Sequence, residues 1–166
     1  MTTTIRIRPA TEEDVPFLRE MLYVSVYVPD GAEPPGRDIL DSPGIGAYIK
    51  DWGRPGDFGF IAETEDGLAI GSATARLFQA DRPGYGFIDE ATPELGIALL
   101  PAYRGLGAGT KLLQALAEEA MKRGYEALSL SVDPRNPAVR LYKRLGFVEK
   151  GMSGTSAVMR WSLKET

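Results

Sequence analysis

Arg104-Gly105-Leu106-Gly107-Ala108-Gly109 stands between an apolar, strand-like run from Leu95 to Leu100 and an amphipathic helical pattern from Thr110 to Arg123. Three glycines at alternate positions, at the mouth of a helix, let the backbone approach a ligand with no Cβ in the way. The first amides of that helix have no intrahelical acceptor and lie at the positive end of its dipole. An anion suits that place, and a pyrophosphate in particular, although a plain strand-to-helix turn would use the same residues. Two other phosphate loops fail on spacing. A P-loop needs lysine directly after its last glycine, and here Thr110 intervenes before Lys111. A dinucleotide fingerprint needs G-x-G-x-x-G, and neither Gly105 nor Gly107 starts that frame.

The pattern that does fit is [QR]-x-x-G-x-[GA], met by Arg104, Gly107 and Gly109. It resembles the acyl-CoA pyrophosphate loop of the GNAT family of N-acetyltransferases. Upstream, Pro93-Glu94-Leu95-Gly96-Ile97-Ala98-Leu99-Leu100 resembles that family's central strand. Downstream, Asn136-Pro137-Ala138-Val139-Arg140-Leu141-Tyr142 running on to Gly146-Phe147 resembles its late helix. The three matches occur in order and cover about the C-terminal half of the chain. They imply a single α/β domain over residues 1–166, with a mixed, mostly antiparallel central sheet flanked by helices.

The resemblance also assigns roles. Arg104, Gly105, Leu106, Gly107, Ala108, Gly109 and Thr110 would hold the pyrophosphate of acetyl-CoA. Backbone groups of Ile97, Ala98 and Leu99 would face the pantetheine and thioester in a gap between two splayed strands. An amide there could polarise the thioester carbonyl. Asn136 would touch the cofactor arm, and Tyr142 would point at the CoA sulfur. On spacing alone Tyr142 could equally be a core tyrosine, because it shares a helical face with Ala138, Leu141 and Leu145. Asn136 likewise reads as an N-cap with Pro137 at the first helical position.

Composition narrows the chemistry. At 166 residues, with 43% hydrophobic and 25% charged, the chain suits one soluble domain. A formal charge of −4 argues against general nucleic-acid binding, and no apolar run reaches the roughly 20 residues that span a bilayer. The start, from Met1 to Arg8, lacks an apolar signal region, so a cytoplasmic location is expected. With neither cysteine nor histidine, the chain can form no thiolate or imidazole zinc site and no Ser-His-Asp or Cys-His centre. No metal is expected. Proton transfer must use carboxylate, lysine, tyrosine or water.

Glu94 is the candidate base: strand alternation sets Glu94, Gly96 and Ala98 opposite Leu95, Ile97 and Leu99. A solvent-exposed carboxylate at a strand start is the plain alternative. Gly96, inside a strand, suggests a bulge or a close backbone approach. Elsewhere the sequence predicts a strand at Ile5 to Pro9 and a helix opened by Thr11-Glu12-Glu13-Asp14. A short helix follows within Arg37 to Asp51, then a hairpin turning at Asp66-Gly67 and two final strands near Phe147 and Ser162. Acidic Glu33, Asp38, Asp41, Asp51 and Asp57, with Tyr27, Tyr48 and Trp52, crowd the half where the family builds its acceptor site. The expected activity is direct transfer of acetyl from acetyl-CoA to a small-molecule or peptide amine. The alternative is a CoA-binding sensor of the same fold without turnover, and a homodimer is left open.

Overall fold

Alternation of Ile5 and Ile7 with arginines forms β1, Ile5–Pro9, which pairs antiparallel with β2, Phe58–Thr64. The Asp66-Gly67 turn returns the chain into β3, Ala69–Arg76, where Gly67 N–H reaches the Thr64 carbonyl at 2.9 Å. β4, Glu94–Leu99, pairs antiparallel with β3 in unbroken register. The helix after the glycine loop, Ala108–Lys122, crosses over to β5, Ala127–Val132, which is parallel to β4. A short helix, Val139–Leu145, precedes a closing hairpin of β6, Phe147–Ser153, and β7, Ser156–Ser162. The computed structural model describes residues 4–163, and its sheet runs in the order β1-β2-β3-β4-β5-β7-β6. Residues 1–3 and 164–166 of the expected domain lie outside the described residues.

We label the helices α1, Val15–Ser25; α2, Ala108–Lys122; and α3, Val139–Leu145. α2 buries Leu112, Leu113 and Leu116 against Leu95, Leu128 and Leu130, forming the main core on one face of the sheet. α1 covers the other face, with Leu18 and Met21 buried. β4 therefore divides its side chains as alternation requires. Leu95, Ile97 and Leu99 join the α2 core, whereas Gly96 and Ala98 adjoin Leu18 and Met21 of α1.

Three expectations are corrected. The helix expected from Thr110 starts at Ala108, so Ala108 and Gly109 form its buried first turn. The apolar stripe expected along that helix, from Thr110 to Arg123, stops short of Met121, which is 44% exposed. The helix expected within Arg37 to Asp51 is instead two 3-10 turns, Arg37–Asp41 and Ile45–Tyr48. Pro43 between them has no amide to carry a continuous ladder.

Candidate active site

β4 and β5 share one bridged pair, Glu94 with Ser129. The strands diverge beyond it, and hydrogen-bond alternation fixes which groups of β4 line the gap. Ser129 N–H bonds the Pro93 carbonyl at 3.0 Å, and Leu100 N–H bonds Ile70 of β3 at 2.8 Å. Peptide groups of even-numbered residues therefore face β3, and those of Leu95, Ile97 and Leu99 face β5. Ile97 and Leu99 thus present their backbone to the gap, as expected. Ala98 does not: its partner is Ser72 of β3, and its peptide groups belong to that ladder. Side-chain alternation alone could not have shown this. Gly96 makes no bulge, and a Cβ built there would meet nothing within 4 Å.

Glu94 is only 3% exposed, so it is not the solvated carboxylate its position at a strand start would also allow. Its roof is the segment carrying Gly84, Tyr85 and Gly86. A Cβ at Gly84 would collide with Glu94 Oε1, and one at Gly86 would stand 2.6 Å from the Leu130 carbonyl carbon. Only glycine permits that approach. The Tyr48 hydroxyl donates to Glu94 Oε2 and accepts the Tyr85 amide at 2.9 Å. Glu94 Oε1 has no well-formed hydrogen bond among the described residues. Burial pushes the Glu94 carboxyl up to about 7, with the Tyr48 hydroxyl and, more weakly, the Gly86 amide working the other way. Burial, reinforced by the Glu94 charge, also raises Tyr48 above the ordinary phenol range, so Tyr48 keeps its proton and donates it.

Arg76 lies directly opposite Glu94 in the β3–β4 register, yet its guanidinium is engaged elsewhere. It binds Asp57 through two bonds, of 3.0 and 2.8 Å, and donates to the carbonyls of Ala47 and Lys50 at 2.9 and 2.8 Å. Both side chains of that pair are almost fully buried. The pair fixes the Ile45–Tyr48 turn and so carries Tyr48 to Glu94.

Glu94, Tyr48, Gly96, Ile97, Asn136 and Tyr142 all line one cavity of about 330 Å³. The Tyr142 ring is buried and packs on Phe147 with centroids 5.5 Å apart. Its hydroxyl has no hydrogen-bond partner among the described residues, and burial pushes it up to about 12. Core packing and a role at the cavity therefore coexist in this residue. Asn136 is not the N-cap of α3, because the helix begins at Val139 with Ala138 as its cap residue. Its Oδ1 accepts the Ala138 amide at 2.9 Å, a side-chain turn that prepares the helix two residues ahead.

The glycine loop opens at the end of β4. Gly105 and Gly107 have φ of +79° and +85°, and α2 starts from Gly107 as its cap. Residues from Arg104 to Gly107 are exposed, and no side chain caps the helix. The first ladder bond runs from Lys111 N–H to Gly107 O at 3.2 Å, which leaves the Ala108, Gly109 and Thr110 amides outside the helical ladder. These donors at a helix start fit a pyrophosphate. Arg104 folds back, its Nε reaching the Leu99 carbonyl at 3.2 Å. The residue therefore also ties the loop to the strand end.

Comparison with known proteins decides the family. The family model described as "Acetyltransferase (GNAT) family" matches residues 22–147. The chain belongs to the GNAT acetyltransferase family. An N-alpha-acetyltransferase of Sulfurisphaera tokodaii is 48% identical over 101 residues, covering 54% of this GNAT chain and 56% of that protein. The L-2,4-diaminobutyric acid acetyltransferase of Nocardia farcinica is 30% identical over 100 residues, covering 60% and 48% respectively. The chain thus matches about half the length of these curated relatives. Among solved structures, PaiA N-acetyltransferase from Thermoplasma acidophilum in complex with coenzyme A superposes with a TM-score of 0.70 at 20% identity. That match covers 96% of this chain and 99% of the other, and it shows the shared fold.

The fold divides the acidic and aromatic residues of the N-terminal half of this GNAT protein. Tyr27 and Tyr48 line the cavity. Asp57 is buried against Arg76 instead, and Glu33, Asp38, Asp41 and Asp51 are exposed. Tyr85 and Asp133, which the sequence did not single out, also line it. The Pro83-Gly84-Tyr85-Gly86 run was the available signal for Tyr85, since two glycines around an aromatic mark a close backbone approach.

Proposed function

We propose that the chain is an N-acetyltransferase that moves the acetyl group of acetyl-CoA directly onto an amine. One observation carries this reading: a buried carboxylate and a buried, unpartnered tyrosine share a cavity with the open backbone edge of β4. The loop amides at the start of α2, with Arg104 beside them, would hold the pyrophosphate. Ile97 and Leu99 would hold the pantetheine arm, and acetyl-CoA would supply an activated thioester.

Glu94 accepts a proton from the acceptor ammonium, directly or through one water, and so frees the nitrogen lone pair. The nitrogen then bonds to the acetyl carbon, the carbon–sulfur bond breaks, and the nitrogen's second proton passes to the thiolate or to solvent as the amide forms. Tyr142 donates a hydrogen bond to the departing sulfur. With the phenol near 12, full transfer to a thiolate near 8.5 would be uphill by about 5 kcal/mol, so Tyr142 stabilises charge and does not protonate early.

Thiol release from acetyl-CoA against a broad amine panel tests the proposal. Release that requires an amine supports it. Tight CoA binding without release for any amine would make the chain a sensor.

A further inference from the structure

We infer that the acceptor is an amine whose own carbon bears no carboxylate, so that the chain accepts an amide-blocked or alkyl amine and rejects the free α-amino acid. The inference rests on the acetyl-transfer reading above and concerns the same cavity. Its wall carries two carboxylates, Glu94 and Asp133, and among the described residues no lysine or arginine. The remaining wall is uncharged: aromatic and aliphatic side chains, among them Tyr27, Tyr48, Tyr85 and Ile45, with three serines and Asn136 between them.

Charge recognition follows from that inventory. The buried Glu94 carboxylate attracts an ammonium, and aromatic faces favour it further, whereas Asp133 adds less because Arg135 already pairs it. A carboxylate on the same carbon would enter beside Glu94 with no cation to receive it. Arg135, two residues from Asp133, is already used: its Nε and Nη2 bind the Asp133 carboxylate at 3.0 and 2.7 Å. That pairing holds Asp133 down at about 2, so it stays charged wherever the enzyme would work. Arg76 is buried on Asp57 and the carbonyls of Ala47 and Lys50, and it does not line this cavity. A free α-carboxylate would therefore be desolvated, unpaired and close to like charge, which is how sites exclude a competitor. Replacing that group with an amide or a methyl removes the charge and keeps the shape.

The experiment uses wild-type protein and three acceptors with one skeleton: alanine, alaninamide and isopropylamine. The phenylalanine series provides a larger homologue. Thiol release is read as kcat/KM per unprotonated amine, because removing the carboxylate also changes the amine pKa. Like charges a few ångströms apart at an effective permittivity near 20 predict a preference of about a hundredfold for the uncharged compounds. A preference of tenfold or more in either series supports the inference. Equal rates, or faster release with the free acids, overturn it and leave acetyl transfer standing. Release with none of these amines, nor with any of the broad panel, overturns both.

Discussion

Replacing Tyr48 by phenylalanine removes the hydroxyl that donates to Glu94 Oε2 and accepts the Tyr85 amide, and the first of these bonds is the one that bears on the carboxyl. The ring keeps its edge contact with Phe78 at 5.1 Å and its stack on Tyr85 at 6.4 Å, so packing changes little. A hydrogen bond to a charged acceptor contributes about 1.5–3 kcal/mol, and losing it removes that support from the ionised carboxylate alone. At 1.36 kcal/mol per unit, the Glu94 carboxyl should rise from about 7 to about 8–9. At pH 7 the wild-type carboxylate is about half ionised, against about 1–10% in Tyr48→Phe, so turnover there should fall about fivefold to fiftyfold. Above pH 9 the two enzymes should converge. The assay is thiol release from pH 6 to 10 with one acceptor, expressed as the wild-type to variant ratio at each pH. That ratio cancels the acceptor's own ionisation. A ratio constant across the range, in a variant that binds CoA normally, would show that Tyr48 does not set the proton affinity of the working base.

Four further outcomes follow from the same geometry. Tyr142→Phe should lower kcat about tenfold to a thousandfold while CoA affinity and stability stay near wild type, since the hydroxyl has no partner among the described residues; unchanged turnover would confine Tyr142 to packing. Gly107→Val forces a β-branched residue to φ +85°, where a Cβ meets no neighbour but the backbone is strained, and should weaken CoA at least about tenfold by titration. Gly124→Val imposes similar strain, φ +88°, at the far end of α2, and should leave CoA affinity alone. Glu94→Gln tests linkage: burial holds the folded carboxyl at about 7 against 4.5 for an ordinary glutamate, so ionised Glu94 costs the native state stability. The wild type should lose about 3 kcal/mol between pH 4.5 and 8, and the variant should lack that loss. Urea titrations at the two pH values check it, and parallel pH dependence in both proteins would count against a buried, ionising Glu94.

The glycine loop was legible because its backbone and its spelling coincide: Gly105 and Gly107 occupy left-handed conformations that other residues avoid. The amphipathic stripe of α2 and the alternation of β4 were legible for the same local reason. Glu94 could be placed on the right face of its strand but not judged buried, since its roof comes from Gly84 to Gly86, which pack over it through tertiary contact. The Tyr48 contact was hidden by 46 residues of separation and by the Arg76–Asp57 pair that holds its turn. The assignment of Ala98 failed because side-chain faces and peptide directions are separate properties of a strand. The start of α3 was read two residues too early: the Asn136 side chain folds its own turn, and the helix begins at Val139.

The sheet is, mechanically, two plates. β1 to β4 form one and β5, β7 and β6 the other, and the single rivet between them is the Glu94–Ser129 pair. Glu94, the proposed proton acceptor, thus sits at the hinge line, where a small change in the angle between the plates moves it least and moves the Ile97 and Leu99 edge most. A molecule lodged in the wedge would set that angle without displacing the base. Chemistry at the pivot and adaptability at the rim are compatible because the strands stop pairing after one bridge.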